Sequence, residues 1–232
     1  MPTGFPLFLP KRFVSHGNHQ ESFSQKSKTV LTGNPIRKFK VGREDGEFSL
    51  IYVTGGSAGS HTINVLIEGC VKKLLEKYRV FHQTGGALEY HDFDRLQRLK
   101  KSFNKTIREK YTLTKFVNPS DIGSILQNAD LVVCRSGINT ITELIFLGKP
   151  SLLIPLPYSQ NNEQMKNALF LKNLGLSEVL PQINLTVEKL YQKILLMMKN
   201  IKRYQKSQET KKLVKKDAAQ KIFNILNLYA KI

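Results

Sequence analysis

The chain has 232 residues, 41% of them hydrophobic and 9% aromatic, a balance that supports a packed core and excludes wholesale disorder. No apolar run approaches the ~20 residues of a membrane span, and two distant cysteines, Cys70 and Cys134, form neither a disulfide framework nor a zinc spacing, which points to a reducing cytoplasm. The net charge of +18, from 36 Lys and Arg against 18 Asp and Glu, attracts polyanions in general, but no recognised module or aromatic–basic interleaving accompanies it, so nucleic acid is not expected as a partner.

Residues 1–45 contain few periodic apolar positions and read as a leader or interdomain linker. In "MPTGFPLFLPKRF" the basic pair follows the apolar patch and prolines interrupt it, which makes a poor signal peptide. The most ordered piece here is "KTVLTGNPIRK", a short strand running into an Asn-Pro turn.

From Phe48 a regular alternation begins. "FSLIYVT" reads as a buried strand and "HTINVLIEGCVKKLLEKY" as an amphipathic helix with Ile63, Leu66, Ile67, Val71, Leu74 and Leu75 on one face. "RVFHQTG" is a second strand, a charged helix covers 91–103, and "YTLTKFV" is a third strand. "NPSDIGSILQNA" opens like a helix, "DLVVCRS" is a fourth strand with Cys134 as a buried thiol, "NTITELIFLG" is a helix closed by Gly148, and "PSLLIPL" is a fifth strand. "NNEQMKNALFLKNLG" is a helix closed by Gly175, and "SEVL" a short sixth strand.

Strands that are near-continuous apolar runs, alternating with helices, predict an α/β domain: a Rossmann-like, doubly wound parallel sheet over residues 46–185. Residues 186–232 are expected to form lysine-rich basic helices packing on that domain. Their thin apolar seam also admits contact with an anionic membrane surface.

In open parallel sheets ligands bind beyond the carboxyl ends of the strands, so the loops there are the candidate site. Gly55-Gly56-Ser57-Ala58-Gly59 joins a strand to a helix. Its bare N–H groups and the helix N-terminus can receive an anion, or the glycines simply make a tight turn. It matches neither the P-loop nor the G-x-G-x-x-G spacing. After the fourth strand come Ile138, Asn139, Thr140, Ile141, Thr142 and Glu143. Thr140 can add a hydroxyl donor to a phosphate and Glu143 can accept from a ribose diol, or Thr140-x-x-Glu143 is a capping box, the preferred reading on spacing alone. In "PLPYSQNNEQ" the amides, Gln164 among them, can reach sugar hydroxyls, or an asparagine caps the helix. Arg37 after the Asn-Pro turn can meet an anion or be solvated. Neither His61 nor His82 has a carboxylate and a nucleophile nearby in the sequence that would mark a triad or ligand set, and both read as structural or surface residues.

Together and in this order, "LTGNPIR", "VTGGSAGSHTIN", "HQTGG", "KFV", "ADLVVCRSGINTITELIFLGKPSLLIPLP" and "NNEQMKNA" resemble the C-terminal half of the MurG family. Those are UDP-N-acetylglucosamine:N-acetylmuramyl-(pentapeptide) pyrophosphoryl-undecaprenol N-acetylglucosaminyltransferases with the two-domain GT-B fold. The resemblance covers residues 28–185. It implies a donor-binding domain with UDP-N-acetylglucosamine contacts at Arg37, Gly56, Ser57, Val117 (through its backbone, on the uracil), Ile138 to Glu143 and Gln164, with Thr140 at the diphosphate and Glu143 on the ribose. It further implies inverting transfer without metal or other cofactor and a lipid-linked acceptor. The catalytic base would come from a separate N-terminal acceptor domain or partner chain, and the chain would work in the cytoplasm, peripherally at the inner face of the cell membrane. Ala58 and Glu163 depart from the family's usual glutamine and histidine or glutamine.

Overall fold

The structure, a computed structural model, describes residues 12–14, 29–37, 39, 48–87, 89–205 and 210–230. It divides into two compact units, one spanning Arg37–Lys211 and the other drawn from the residues up to Ile36 and from Lys212 onward. The second unit pairs β1 (Arg12–Val14) with β2 (Thr29–Leu31) in parallel, Phe13 opposite Val30. β2 is the strand read from "KTVL"; β1 is not anticipated from the sequence. A helix at Ala218–Ala230 belongs to the same unit.

The larger unit is built on six strands: β3 (Leu50–Thr54), β4 (Arg79–Gln83), β5 (Tyr111–Thr114), β6 (Leu131–Cys134), β7 (Ser151–Leu153) and β8 (Ser177–Val179). They lie in the order β5-β4-β3-β6-β7-β8, and every neighbouring pair is parallel. Helices α1 (His61–Leu75), α2 (Asp92–Ser102), α3 (Lys105–Glu109), α4 (Pro119–Asn128), α5 (Ile138–Leu147), α6 (Glu163–Asn173) and α7 (Val187–Lys199) make the crossovers and the flank. This is the doubly wound sheet that the alternation predicts. The central strands are apolar on both sides because helices cover both faces; Ile51, Val53, Leu131 and Val133 have no exposed surface.

α1 buries the predicted face, Ile63, Leu66, Ile67, Val71, Leu74 and Leu75, and α7 places Leu190, Ile194 and Met197 in the same core. A fully buried leucine there is worth about 1.5–3 kcal/mol in transfer alone, so Leu74→Ala, which also leaves a void, costs roughly 2–5 kcal/mol. The helix stops follow the glycines. Gly148, the C-cap of α5, has φ 62, and Gly175, just past α6, has φ 73, a left-handed backbone that favours glycine. β5 ends three residues earlier than "YTLTKFV" suggests, where the Thr114 hydroxyl donates to the Phe116 carbonyl. The short α3 is also unanticipated; the Asn104 side chain caps it by accepting from Ile107 N–H at 2.9 Å. Among the described residues no helix is long and apolar enough to cross a membrane.

Candidate functional site

The chain winds from β3 through β4 to β5 on one side and from β6 through β7 to β8 on the other. β3 and β6 are therefore neighbours whose following loops diverge, which opens a crevice at their carboxyl ends. A cleft of about 450 Å³ lies there, lined by Thr54, Gly55, Gly56, Gly59 and His61 from the first loop and by Arg135, Gly137 and Thr140 from the second, with Leu156, Gln164 and Gln182 at the far side.

The glycines of the first loop divide between the turn and the cleft. Gly55 and Gly59 make the tight turn. A Cβ on Gly59, at φ 87, would meet the Thr84 carbonyl oxygen at 2.1 Å, and one on Gly55 would meet Ser60 N at 2.3 Å. Gly56, at φ 89, has nothing within 4 Å of an added Cβ and lines the open side of the cleft. Its N–H donates to the Thr54 hydroxyl at 3.0 Å. Ser57 is exposed beside it and does not line the cleft. Ser60 caps α1 by accepting from Ile63 N–H.

On the second wall the N-cap of α5 is Gly137, with no side-chain cap bond. The capping-box reading fails for that reason: Thr140 is already the third helical residue and Glu143 lies beyond the first turn. Gly137 has φ −65, a value any residue adopts, and a Cβ there would meet nothing within 4 Å. The fold does not require a glycine at this point, and Gly137 lines the cleft. Neither α1 nor α5 carries an acidic residue of its own in its first turn, so no acid within either helix opposes the positive dipole end.

The structure brings only some of the predicted residues together. Gly56, Thr140 and Gln164 line the cleft directly. Gln164 Oε1 accepts from Leu156 N–H at 3.0 Å, and its carbonyl accepts from the Ser136 hydroxyl at 2.7 Å. Arg37 and Glu143 pair beside the start of α4. Arg37 Nε is 2.5 Å from Glu143 Oε1 and its Nη1 donates to the Pro119 carbonyl at 3.3 Å, two residues beyond Val117. Glu143 is buried, and burial raises its carboxyl pKa while Arg37 opposes the rise. Asn139 is exposed and Ile138 half-buried, whereas Ile141 and Thr142 are buried, the Thr142 hydroxyl bonding back to the Ile138 carbonyl. α6 is not capped by an asparagine side chain. Asn161 and Asn162 adopt left-handed φ of 52 and 55, and Gln164 N–H donates to the Ser159 hydroxyl instead.

Three features escape the sequence reading. Arg135, directly after β6, donates through Nη1 to the Ile154 and Pro155 carbonyls and through Nη2 to the Ser60 hydroxyl at 2.7 Å. It thus ties the loops after β3, β6 and β7 together, with burial lowering its guanidinium pKa. Its only signal was an arginine closing an apolar strand. His61 is not without a carboxylate: Asp92 Oδ1 lies 2.8 Å from its Nδ1. Asp92-Phe93-Asp94 has the Asp-x-Asp spacing of a metal motif, but Asp92 is taken up by His61, Asn64 and Arg95. Among the described residues no three His, Cys, Asp or Glu side chains gather as a metal set. His82 is structural as expected, buried between Asn64 and Tyr111, and both cysteines are free and buried.

A family model described as the glycosyltransferase family 28 C-terminal domain matches residues 50–222. A UDP-N-acetylglucosamine–N-acetylmuramyl-(pentapeptide) pyrophosphoryl-undecaprenol N-acetylglucosamine transferase of Prochlorococcus marinus is 36% identical over 196 residues, covering 81% of this chain and 50% of that protein. The crystal structure of Acinetobacter baumannii MurG superposes with a TM-score of 0.63 at 25% identity, covering 82% of this chain and 51% of the other. A putative UDP-N-acetylglucosamine 2-epimerase from Listeria monocytogenes shares the fold at a TM-score of 0.61 and 15% identity, over 92% of this chain and 57% of the other. The chain spans about half the length of the curated relatives it matches.

Proposed function

This chain belongs to the glycosyltransferase family 28 C-terminal-domain family, and from that premise we propose that it is the donor half of an inverting N-acetylglucosaminyltransferase. It holds UDP-N-acetylglucosamine while the sugar passes to a lipid-linked acceptor, converting lipid I to lipid II. The observation that carries this reading is the cleft at the β3/β6 crossover, where two helix N-termini free of first-turn acids meet the bare Gly137.

In this reading the uracil lies against the backbone at Val117 and the ribose diol on Glu143, whose position Arg37 fixes. The diphosphate meets the N–H groups at Ile138–Asn139 and the Thr140 hydroxyl, beside the bare backbone of Gly56 and Ser57, and Gln164 faces the sugar. The acceptor oxygen attacks the anomeric carbon in line. As that bond forms, the bond to the β-phosphate oxygen breaks and its electron pair leaves with UDP. The acceptor's proton goes to a base supplied by the acceptor-binding half. Backbone dipoles and hydroxyls stabilise the departing diphosphate without a metal or other cofactor. The acceptor half, from a separate domain or chain, brings the lipid at the cytoplasmic membrane face, where the chain's +18 charge favours an anionic surface.

Supplying that half in trans tests the activity. The chain mixed with the acceptor half of a relative is expected to move labelled N-acetylglucosamine onto the lipid acceptor above the background of either alone. UDP binding with no transfer under any such pairing would make a non-catalytic UDP-sugar-binding module the better reading.

A further inference from the structure

We propose that His61 is a diphosphate-binding residue of this site, a cationic hydrogen-bond donor aimed by Asp92; the inference rests on the UDP-sugar reading above. His61 opens α1 and lines the cleft. Its Nδ1 lies 2.8 Å from Asp92 Oδ1, and its ring stacks on Tyr90 with centroids 3.9 Å apart. One edge and one face of the imidazole are thus held.

Asp92 is itself fixed. Its side chain is 7% exposed; Oδ1 also accepts from Arg95 Nη2 at 2.8 Å, and Oδ2 accepts from Asn64 Nδ2 at 2.7 Å. Burial acts to raise the Asp92 pKa, but the bonds from Asn64, His61 and Arg95 carry it below the usual carboxylate range. A carboxylate only accepts, so His61 Nδ1 donates. That leaves Nε2 as the ring's other polar atom, and an N–H there makes the ring an imidazolium, the form that matches a diphosphate oxygen.

Asn64 is oriented in turn. Its Nδ2 also reaches the Thr84 carbonyl at 3.0 Å, which turns Oδ1 toward His82 Nε2 at 3.0 Å, and His82 Nδ1 accepts from the Tyr111 hydroxyl at 2.9 Å. A buried polar chain therefore runs from β5 to the rim of the cleft. Joining α1 to α2 does not require the histidine, because Arg95 already bridges Glu68 of α1 and Asp92 of α2. His61 is the member of the chain that lines the cleft, as Arg135 also does. As the sugar leaves, charge builds on the diphosphate and the Nε2–H bond strengthens, with no proton transferred.

The test is titration of the full chain with UDP and with uridine, for wild type, His61→Gln and His61→Lys, each checked by thermal melting. The expected result is a loss of about tenfold in UDP affinity for His61→Gln, unchanged uridine affinity, and partial recovery of UDP affinity in His61→Lys. Unchanged UDP affinity in His61→Gln, equal weakening toward uridine, or a lysine variant as weak as the glutamine one overturns the role of His61 and leaves the donor reading standing. A wild-type chain that binds no UDP overturns both.

Discussion

Arg37 and Glu143 are 106 residues apart in sequence, yet the arginine Nε lies 2.5 Å from the carboxylate Oε1. Glu143 is 8% exposed at its side chain and Arg37 is 31% exposed, so the acid is the member that depends on its partner. Burial raises the Glu143 pKa and Arg37 holds the rise back. Arg37→Ala removes that restraint. A folded-state pKa raised above the unfolded value means that the folded chain binds more protons in the interval between them, so stability falls as pH rises through it. Arg37→Ala is therefore expected to cost about 1–3 kcal/mol at neutral pH, with a penalty that shrinks as Glu143 protonates in acid. Denaturant melts of both proteins from pH 7 downward check it.

Two glycines separate fold from site. Gly59→Ala places a side chain at φ 87 with its Cβ 2.1 Å from a carbonyl oxygen, and is expected to destabilise by roughly 2 kcal/mol or more. Gly137→Ala has an ordinary φ and open space, so it is expected to change stability by less than about 1 kcal/mol while weakening UDP markedly. Thermal melts beside titrations of the two variants distinguish these effects; equal behaviour of the pair contradicts the assignment.

His82 gives the acid limb. Burial lowers its pKa from 6.5 to about 3, against the opposing charge of Asp92. Between those values the unfolded chain binds a proton that the folded chain does not, so the stability from neutral His82 is complete above 6.5 and is lost as pH falls toward 3. The expected contribution approaches about 1.4 kcal/mol per pH unit in that window. His82→Gln is expected to flatten the slope of stability against pH there, measured by chemical denaturation.

The sheet was legible because burial on both faces writes each strand as an apolar run and each helix as a stripe: Ile51 to Val53 and the Ile63–Leu75 face lie where periodicity puts them. Gly148 and Gly175 marked helix ends because left-handed backbone favours glycine. What was not legible is pairing across the chain. His61 meets Asp92 31 residues away only because β4 returns the chain beside α1, and Arg37 meets Glu143 only after the sheet has closed. The capping box was misread because Thr140-x-x-Glu143 has the right spacing, while Gly137 starts the helix three residues sooner. Spacing cannot decide which residue begins a helix when a bare glycine serves as the cap.

The most direct measurement is calorimetric titration of the chain with UDP-N-acetylglucosamine, UDP and UDP-glucose, in wild type and Glu143→Ala. The account predicts saturable binding of uridine nucleotides that falls at least about tenfold in the variant, as expected when a buried charged hydrogen-bond partner is lost, with the melting temperature little changed. Absence of binding to any uridine nucleotide, or binding indifferent to Glu143, would contradict it.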